Sequence, residues 1–388
     1  MATESYLDQP LSYKLRKVAR YANLYGIGRT IEKVRAQYHM GAQLGFDGVR
    51  YENRECNSPD DPNRTIGLMG CGSFAYSTIA FYLNKFDPGC IRAAMDTDSA
   101  RARSLVDRYG AAYATTDPAV IVNDPRIDLV FVASNHASHA PYAVMALDAG
   151  KDVHIEKPHV VTSQQLSELV SAIQRNPDRK VYLGFNRPRS NHFVRLQRVL
   201  LEEEGPAMIN WFIAGHEIAE GHWYFDEAEG GRILGNLCHW SDLTLQIVGL
   251  EKAFPCRIVP CSPVGAKSDF VTSIEFADGS MAALTFSAKG HTFEGVREVL
   301  NLHKGQVLAE IKDFKSLSLM RGATRWTHSS WWRDHGHRAN ILNSHKGSRY
   351  GEPKSAADLA YLVATAELFL KIREAHDQRR EIIVERPL

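Results

Sequence analysis

The stretch IGLMGCGSFAYSTIA, residues 66–80, restricts the fold more than any other part of the chain. Four residues of strand-like character run into Gly70-x-Gly72-x-x-Ala75, and a helical pattern follows at once. A strand ending in such a loop needs one glycine for a tight turn and a second where backbone must approach a ligand. A small third residue lets the following helix pack closely on the strand. Gly70, Cys71, Gly72, Ser73, Phe74 and Ala75 are therefore expected around a phosphate-bearing ligand, with the helix N-terminus adding unpaired N–H groups and a positive dipole end.

Around this loop, residues 64–183 alternate short apolar runs (TIGLMG, CIRAAMD, DLVFVAS, DVHIEK, KVYLGF) with helical patterns such as SARARSLVDRYG and SQQLSELVSAIQRN. That alternation predicts a parallel sheet with helices on both faces. Beyond residue 184, Val, Ile, Phe and Thr alternate in MINWFIAGH, DFVTSIEFADGSMAALTFSA and REVLNLHKGQVLAEI, and Asp278-Gly279 marks a hairpin. A helix, SAADLAYLVATAELFLKIREA, is expected over 355–375. The predicted class is α/β: an N-terminal Rossmann-type parallel-sheet domain plus a C-terminal α+β domain with a large, mainly antiparallel open sheet. The expected units are a basic extension over 1–62 that closes in the polar linker NRECNSPDDPNR, a dinucleotide-binding domain over 63–184, and a substrate-binding and oligomerisation domain over 185–388.

The strand after the glycine loop ends in AAMDTD. A carboxylate at Asp96 can accept hydrogen bonds from an adenosine ribose diol and repels a 2′-phosphate, which favours NAD; Arg101 nearby keeps NADP as the alternative. At this point the chain resembles the Gfo/Idh/MocA family of nicotinamide-dependent oxidoreductases, over about residues 64–376. The resemblance rests on the glycine loop, on VASNHASHAPYAVMALDAGKDVHIEKP and on EGGRILGNLCHWSDL at 229–243. The N-terminal extension and GRILGNLCHWSD resemble the subset found beside surface-polysaccharide genes. The resemblance implies hydride transfer between nicotinamide C4 and the secondary hydroxyl or ketone of a sugar or nucleotide sugar.

Such chemistry needs a C–H close to the ring and a group to manage the hydroxyl proton. Lys157, in DVHIEKPHVV, follows a parallel strand at the edge where such sheets bind ligands, and Pro158 restricts it to extended backbone. Glu156 beside it is expected to tune or orient it, at the edge of the cofactor crevice. His239 matches the histidine that in relatives lies beside the substrate, and an imidazole suits proton transfer near neutral pH; the competing reading is a satisfied core histidine. Four residues earlier many relatives carry an aspartate, but this chain has Gly235 followed by Asn236, which can position a substrate hydroxyl but cannot take its proton. Asp242, one helical turn beyond His239, is expected to orient the imidazole. Ser134, Asn135 and His136 follow a strand where relatives contact the nicotinamide ribose, with His139 opening the next helix. Asn186 and Arg187, in GFNRPR, are expected to meet substrate, and Arg187 and Arg189 suit an anionic group. His222, Trp223 and Tyr224 form an aromatic cluster that stacks on a sugar face or packs in a core. WTHSSWWRDHGHRANILN (326–343) reads as a substrate-capping loop with Arg333 in an anion-tolerant wall. Its histidines, 328, 335 and 337, match no zinc spacing, so no metal is expected.

The rest of the composition narrows partners. A net charge of +1 gives no overall drive toward nucleic acid. Six scattered cysteines make no disulfide framework, and neither a leader nor a long apolar span is visible, so a cytoplasmic protein is expected. The basic segment YKLRKVARYANLYGIGRTIEKVRAQYHM reads either as contact with an anionic membrane surface or as a helical arm packed on its own fold or a neighbouring subunit; the second is preferred. A homo-oligomer, dimer or tetramer, is expected. Two rival functions stand beside the dehydrogenase: a redox-neutral enzyme that oxidises and re-reduces substrate around an elimination or epimerisation with tightly held NAD, and a non-catalytic nucleotide or sugar sensor.

Overall fold

The computed structural model describes residues 9–216, 218, 221–263, 268–288, 290, 293–351 and 356–387; residue 355, at the start of the late helix expected over 355–375, lies outside them. The chain opens with helices α1 (Leu11–Tyr25) and α2 (Ile27–Met40) and a short strand β1 (Arg50–Glu52). The alternating block follows: β2 (Ile66–Met69), wide π-helical turns over Ala75–Ala80 that continue as α3 (Phe81–Phe86), β3 (Ile91–Met95), α4 (Ser99–Tyr109), β4 (Tyr113–Thr115) and α5 (Pro118–Val122). Then come β5 (Leu129–Val132), α6 (His136–Asp148), β6 (Asp152–Ile155), α7 (Ser163–Arg175) and β7 (Val181–Leu183).

These strands form one sheet in the order β1-β4-β3-β2-β5-β6-β7, parallel except for β1. Its strands are buried on both faces, as continuous runs such as LVFV require. Helix starts are set by local chemistry: the Asp98 carboxylate accepts from the N–H groups of Ala100 and Arg101, and Thr162 accepts from Gln165. Strand order reverses beside β2, between β3 and β5, and that reversal opens a crevice at the carboxyl ends. Because β1 lies before residue 63, the sheet takes in part of the expected extension.

The second unit contains α8 (Asn191–Leu200), β8 (Ala207–Ala214), α9 (Cys238–Val248), α10 (Leu250–Ala253), β9 (Cys256–Cys261), β10 (Phe270–Glu275), β11 (Met281–Ser287), β12 (Arg297–Lys304), β13 (Val307–Lys312), β14 (Ser316–Arg321), β15 (Thr324–Ser329), α11 (His337–Tyr350), α12 (Leu359–Gln378) and β16 (Ile382–Val384). Its nine strands run β15-β14-β13-β12-β8-β11-β10-β9-β16, antiparallel except for the β8–β11 pair. Strand β8 alternates cleanly: Ile209, Trp211 and Ile213 are buried under the helices while Met208 and Phe212 face outward, about half exposed. Asp278-Gly279 closes the β10–β11 hairpin, with Gly279 at positive φ.

Helix α12 joins the two units. Leu362, Ala366 and Phe369 on one side belong to the core of the parallel sheet, whereas Ala364, Leu368, Ile372 and Ala375 on the other belong to the core of the large sheet. The 3.6-residue period assigns those two faces. Truncating the fully buried Phe369 to alanine costs about 3–5 kcal/mol. The N-terminal arm packs on its own fold: Ala36 of α2 enters the core on one face of the parallel sheet, and Glu32 pairs with Arg108 of α4 at 2.8 Å. Among the described residues no helix is long and apolar enough to cross a membrane.

Candidate active site

The glycine loop sits at the crevice. Gly70 has φ +96°, and a Cβ there would lie 2.5 Å from the Ser134 nitrogen, so the loops after β2 and β5 meet backbone to backbone. Open space surrounds the position of a Cβ on Gly72, where a ligand's phosphates can approach. Asp96, at the end of β3, accepts from the Cys71 N–H at 2.7 Å and the Asp98 N–H at 2.9 Å, so its carboxylate lies against the loop. This glycine pair, the open cradle and the acidic strand end fit a dinucleotide with a free ribose diol. Arg101 pairs with Asp98 at 3.1 Å on the partly exposed start of α4.

Helix α2 covers this loop from outside the motif. His39 donates from Nε2 to the Cys71 carbonyl at 2.6 Å and stacks on Tyr76, while Lys33 Nζ donates to Ser73 Oγ at 3.2 Å. Nothing in the glycine pattern announces these contacts.

After β5, Ser134 Oγ lies 2.6 Å from Ser138 Oγ, and α6 begins at His136, which places His139 inside the helix rather than at its start. The next two side chains have a partner from the second unit. Asn135 donates to the Glu229 carboxylate, His136 donates from Nδ1 to the Glu229 carbonyl at 2.9 Å, and the Ala137 N–H reaches Glu229 Oε2 at 3.1 Å. A buried carboxylate thus satisfies the helix N-terminus. Burial, with Lys157 and His139 nearby, holds His136 well below the usual imidazole range. Trp223 and Tyr224 stand edge-on to the His136 ring, with centroids 5.1 and 4.8 Å away, and Trp223 stays 41% exposed. That leaves an indole face open at the crevice.

Lys157 leaves the carboxyl end of β6 through a cis peptide bond to Pro158. Its Nζ donates to the Gly235 carbonyl at 2.7 Å, and the Tyr224 hydroxyl donates to the same oxygen at 2.6 Å. A Cβ on Gly235 would overlap the Tyr224 phenol. Burial works to lower the Lys157 pKa, but the facing Tyr224, Cys238 and Glu156 outweigh it and raise the value. Glu156 turns back beneath its strand, 3.3 Å from His154 Nε2, with the Gly184 backbone against it.

His239 lies in the first turn of α9, one turn beyond Gly235, buried and facing Phe185 edge-on. Burial pushes its pKa well below the imidazole range, and the positive charge of Arg187 and Lys157 pushes it the same way, followed by His337 and His335. Its Nδ1 has no hydrogen-bond partner among the described residues. The expectation that Asp242 orients this imidazole is wrong. Asp242 instead accepts from Tyr361 and, at 3.2 Å, from Thr365 on α12, and from Gln246 at 3.3 Å; burial raises its pKa to about 7.

Arg187, expected to meet substrate, is engaged within the protein: its fork meets the fully buried Glu298 of β12 at 2.7 and 3.2 Å. Burial would raise the Glu298 pKa, but Arg187 and His335 hold it down to about 2. Asn186 donates to the His335 carbonyl at 2.6 Å, and Asn236 accepts from Arg232 at 3.1 Å, so both are engaged with protein. Arg333, expected in an anion-tolerant wall, pairs with Asp313 at 3.1 Å and with backbone carbonyls. His328, His335 and His337 do not converge; among the described residues the potential ligand trio is Asp87, Cys90 and His345, where Arg349 holds Asp87 and burial pushes the Cys90 thiol up to about 12.

The arrangement puts an ammonium, a phenol, a neutral imidazole and an open indole at the mouth of a nucleotide crevice. Comparison with known proteins follows the same line. Residues 64–185 match the profile described as the GFO_IDH_MocA oxidoreductase family with an NAD-binding Rossmann fold. Inositol 2-dehydrogenase of Salmonella typhimurium is 29% identical over 135 residues, which cover 34% of this chain and 40% of that protein. The alignments cover 34% to 58% of the length of such curated relatives, less than two thirds in each. In fold, GenD2 from gentamicin A biosynthesis, solved with NAD, superposes with a TM-score of 0.70 at 20% identity, covering 83% of this chain and 96% of that one. UDP-N-acetylglucosamine 3-dehydrogenase GnnA of Acidithiobacillus ferrooxidans superposes at 0.68 and 16% identity, covering 81% and 98%.

Proposed function

Residues 64–185 belong to the Gfo/Idh/MocA oxidoreductase family, and from that premise we propose that the chain is an NAD-dependent dehydrogenase acting on a secondary hydroxyl or ketone of a sugar or nucleotide sugar. One observation carries the reading: Lys157 Nζ reaches from the end of β6 to the Gly235 carbonyl at 2.7 Å, so a single cation links the nucleotide crevice to the helical segment that bears His239. Bound over residues 70–75, with Asp96 toward the adenosine ribose and Ser134 to His136 near the nicotinamide, NAD supplies the hydride acceptor. The chain's own residues manage charge and proton. Lys157 exchanges the Gly235 carbonyl for the reacting oxygen and stabilises negative charge as it develops there. His239, neutral near pH 7 and with an Nδ1 that has no partner among the described residues, takes the hydroxyl proton. Tyr224 holds the Gly235 carbonyl in place beside the ammonium, and Trp223 offers a flat face to the sugar ring.

The outer face of the large sheet supports a homo-oligomer, since Met208, Phe212, Met281, Leu308 and Met320 stand exposed on it. A cytoplasmic place in surface-polysaccharide synthesis rests on the resemblance of the N-terminal extension and GRILGNLCHWSD. The test is Lys157→Met with NAD and a panel of polyols and nucleotide sugars, followed by absorbance of reduced nicotinamide. Turnover falls by about a hundredfold or more with NAD affinity near normal; unchanged turnover removes Lys157 from the mechanism.

A further inference from the structure

A second recess adjoins the crevice, and none of the residues assigned to the hydride site explains it. It is a cleft of about 680 Å³ between the N-terminal helices, the start of α3 and the 330–338 segment. Five cations line it; Arg333 pairs with Asp313, whereas Arg29, Lys33, Lys85 and Arg338 have no carboxylate partner among the described residues. Arg29 donates to the Ser77 carbonyl and to Thr78 Oγ1 and bonds the Tyr21 side chain, and Lys33 donates to Ser73 Oγ; none of these partners is a carboxylate. The acid on the wall, Asp334, spends its oxygens on the backbone N–H groups of Asn191 and Gly336. The described lining therefore carries an excess of positive charge.

The remaining wall is aromatic. Arg29 lies over the rings of Phe81 and Tyr82 at 5.4 and 5.0 Å, and Trp332 is 55% exposed with its ring against Gly26, at the joint between α1 and α2. Thus the arm and the 330–338 segment close the cleft together. His335 and His337, the two imidazoles that bear electrostatically on His239, also line it. The recess therefore shares a wall with the residues that surround the reacting centre.

We propose that this cleft binds the nucleoside diphosphate part of the substrate, with phosphates on Arg29, Lys33, Lys85 and Arg338 and the base against Tyr82 and Trp332. The inference deepens the dehydrogenase reading and rests on it for the position of the sugar. Cations without acids bind phosphate by charge-assisted hydrogen bonds, and exposed rings stack a base. A ligand of that kind is larger than a free sugar, and a cleft of this volume lies in the range that small-molecule sites occupy, about 300–1,000 Å³. Burial and the neighbouring Arg29 and Lys17 bring the Lys33 pKa down to about 8, so an incoming phosphate also draws a proton onto Lys33 at alkaline pH. The shared chemistry, a diphosphate joined to a base, has a second source in the cofactor itself, because Lys33 already touches the glycine loop.

Calorimetric titration of the full chain separates the two. UDP, GDP, CDP, dTDP and inorganic phosphate are each titrated with NAD saturating, into wild type, into the exposed pair Lys85→Ser/Arg338→Ser, and into Trp332→Ala. At least one nucleoside diphosphate binds wild type more tightly than phosphate does, and each variant weakens it about tenfold with NAD affinity unchanged. The proposal is overturned if none of the four binds, if phosphate binds as well as the best of them, or if NAD affinity falls in step in the variants. Lys157→Met binds the nucleoside diphosphate as wild type does. A protein that binds one of the four yet oxidises nothing overturns only the dehydrogenase; one that oxidises a neutral polyol and binds none of them overturns only this cleft.

Discussion

Tyr224 Oη and Lys157 Nζ meet on one acceptor, the carbonyl oxygen of Gly235, at 2.6 and 2.7 Å. A carbonyl oxygen has two lone pairs, so both donors are satisfied and are held side by side at the crevice. The resemblance to relatives with an acid at this place leaves Gly235 without an explanation. The structure gives one in steric form: the volume a side chain there would take is filled by the Tyr224 phenol.

Removing the hydroxyl tests the pairing. Burial favours neutral Lys157, and Tyr224 is the largest influence raising its pKa. In Tyr224→Phe the ammonium is therefore lost at lower pH, so the alkaline limb of kcat moves toward neutrality and kcat on that limb falls with it. A pH–rate profile with NAD saturating reads both, and an unmoved limb excludes the coupling.

A methyl group on Gly235 should collide with the phenol. Gly235→Ala costs about 1–3 kcal/mol through overpacking, and Tyr224→Ala relieves it, so the double variant is more stable than the sum of the single changes allows. Denaturant unfolding of the four proteins closes the cycle. Strict additivity would mean that the two positions do not meet.

Asp96 contacts the glycine loop through the Cys71 N–H and carries the proposed ribose contact. Asp96→Ala weakens NAD more than NADP, because the lost carboxylate both accepts from a diol and repels a 2′-phosphate. Paired dissociation constants for the two dinucleotides check this, and an unchanged ratio sinks the ribose assignment.

Asp242 makes stability depend on pH. Its folded pKa of about 7 lies above the unfolded carboxylate value, so the folded state holds the extra proton. The resulting stabilisation is full below the unfolded pKa and is lost as pH rises through about 7. The contribution of this one group therefore falls between about pH 4 and 7, at up to about 1.4 kcal/mol for each pH unit. Asp242→Asn flattens that part of the curve; melting temperatures that fall equally in both proteins would assign the effect elsewhere.

Much of the nucleotide crevice is legible in the sequence because its constraints are local. A strand, two glycines and a helix start lie within 15 residues, and the backbone geometry at Gly70 demands that spacing. The failures are all non-local. Asp242 follows His239 at helical spacing, but α12 brings Tyr361 and Thr365 to it from more than 100 residues away. Arg187 is claimed by Glu298, and Asn135 with His136 by Glu229, in each case across the two units. The amphipathic pattern of α1 and α2 tells that they pack, but not that His39 and Lys33 land on the glycine loop.

Helix α12 presents one row of side chains to each of two cores, and that double membership sets how the protein comes apart. Neither sheet can melt and keep its packing while the other remains whole, because the same 20 residues wall both. Heating should produce a single calorimetric transition, with van't Hoff and calorimetric enthalpies in agreement, in place of the two steps that separable domains show. The crevice between the sheets inherits that coupling, so its walls are kept in register by the cooperativity of the whole chain.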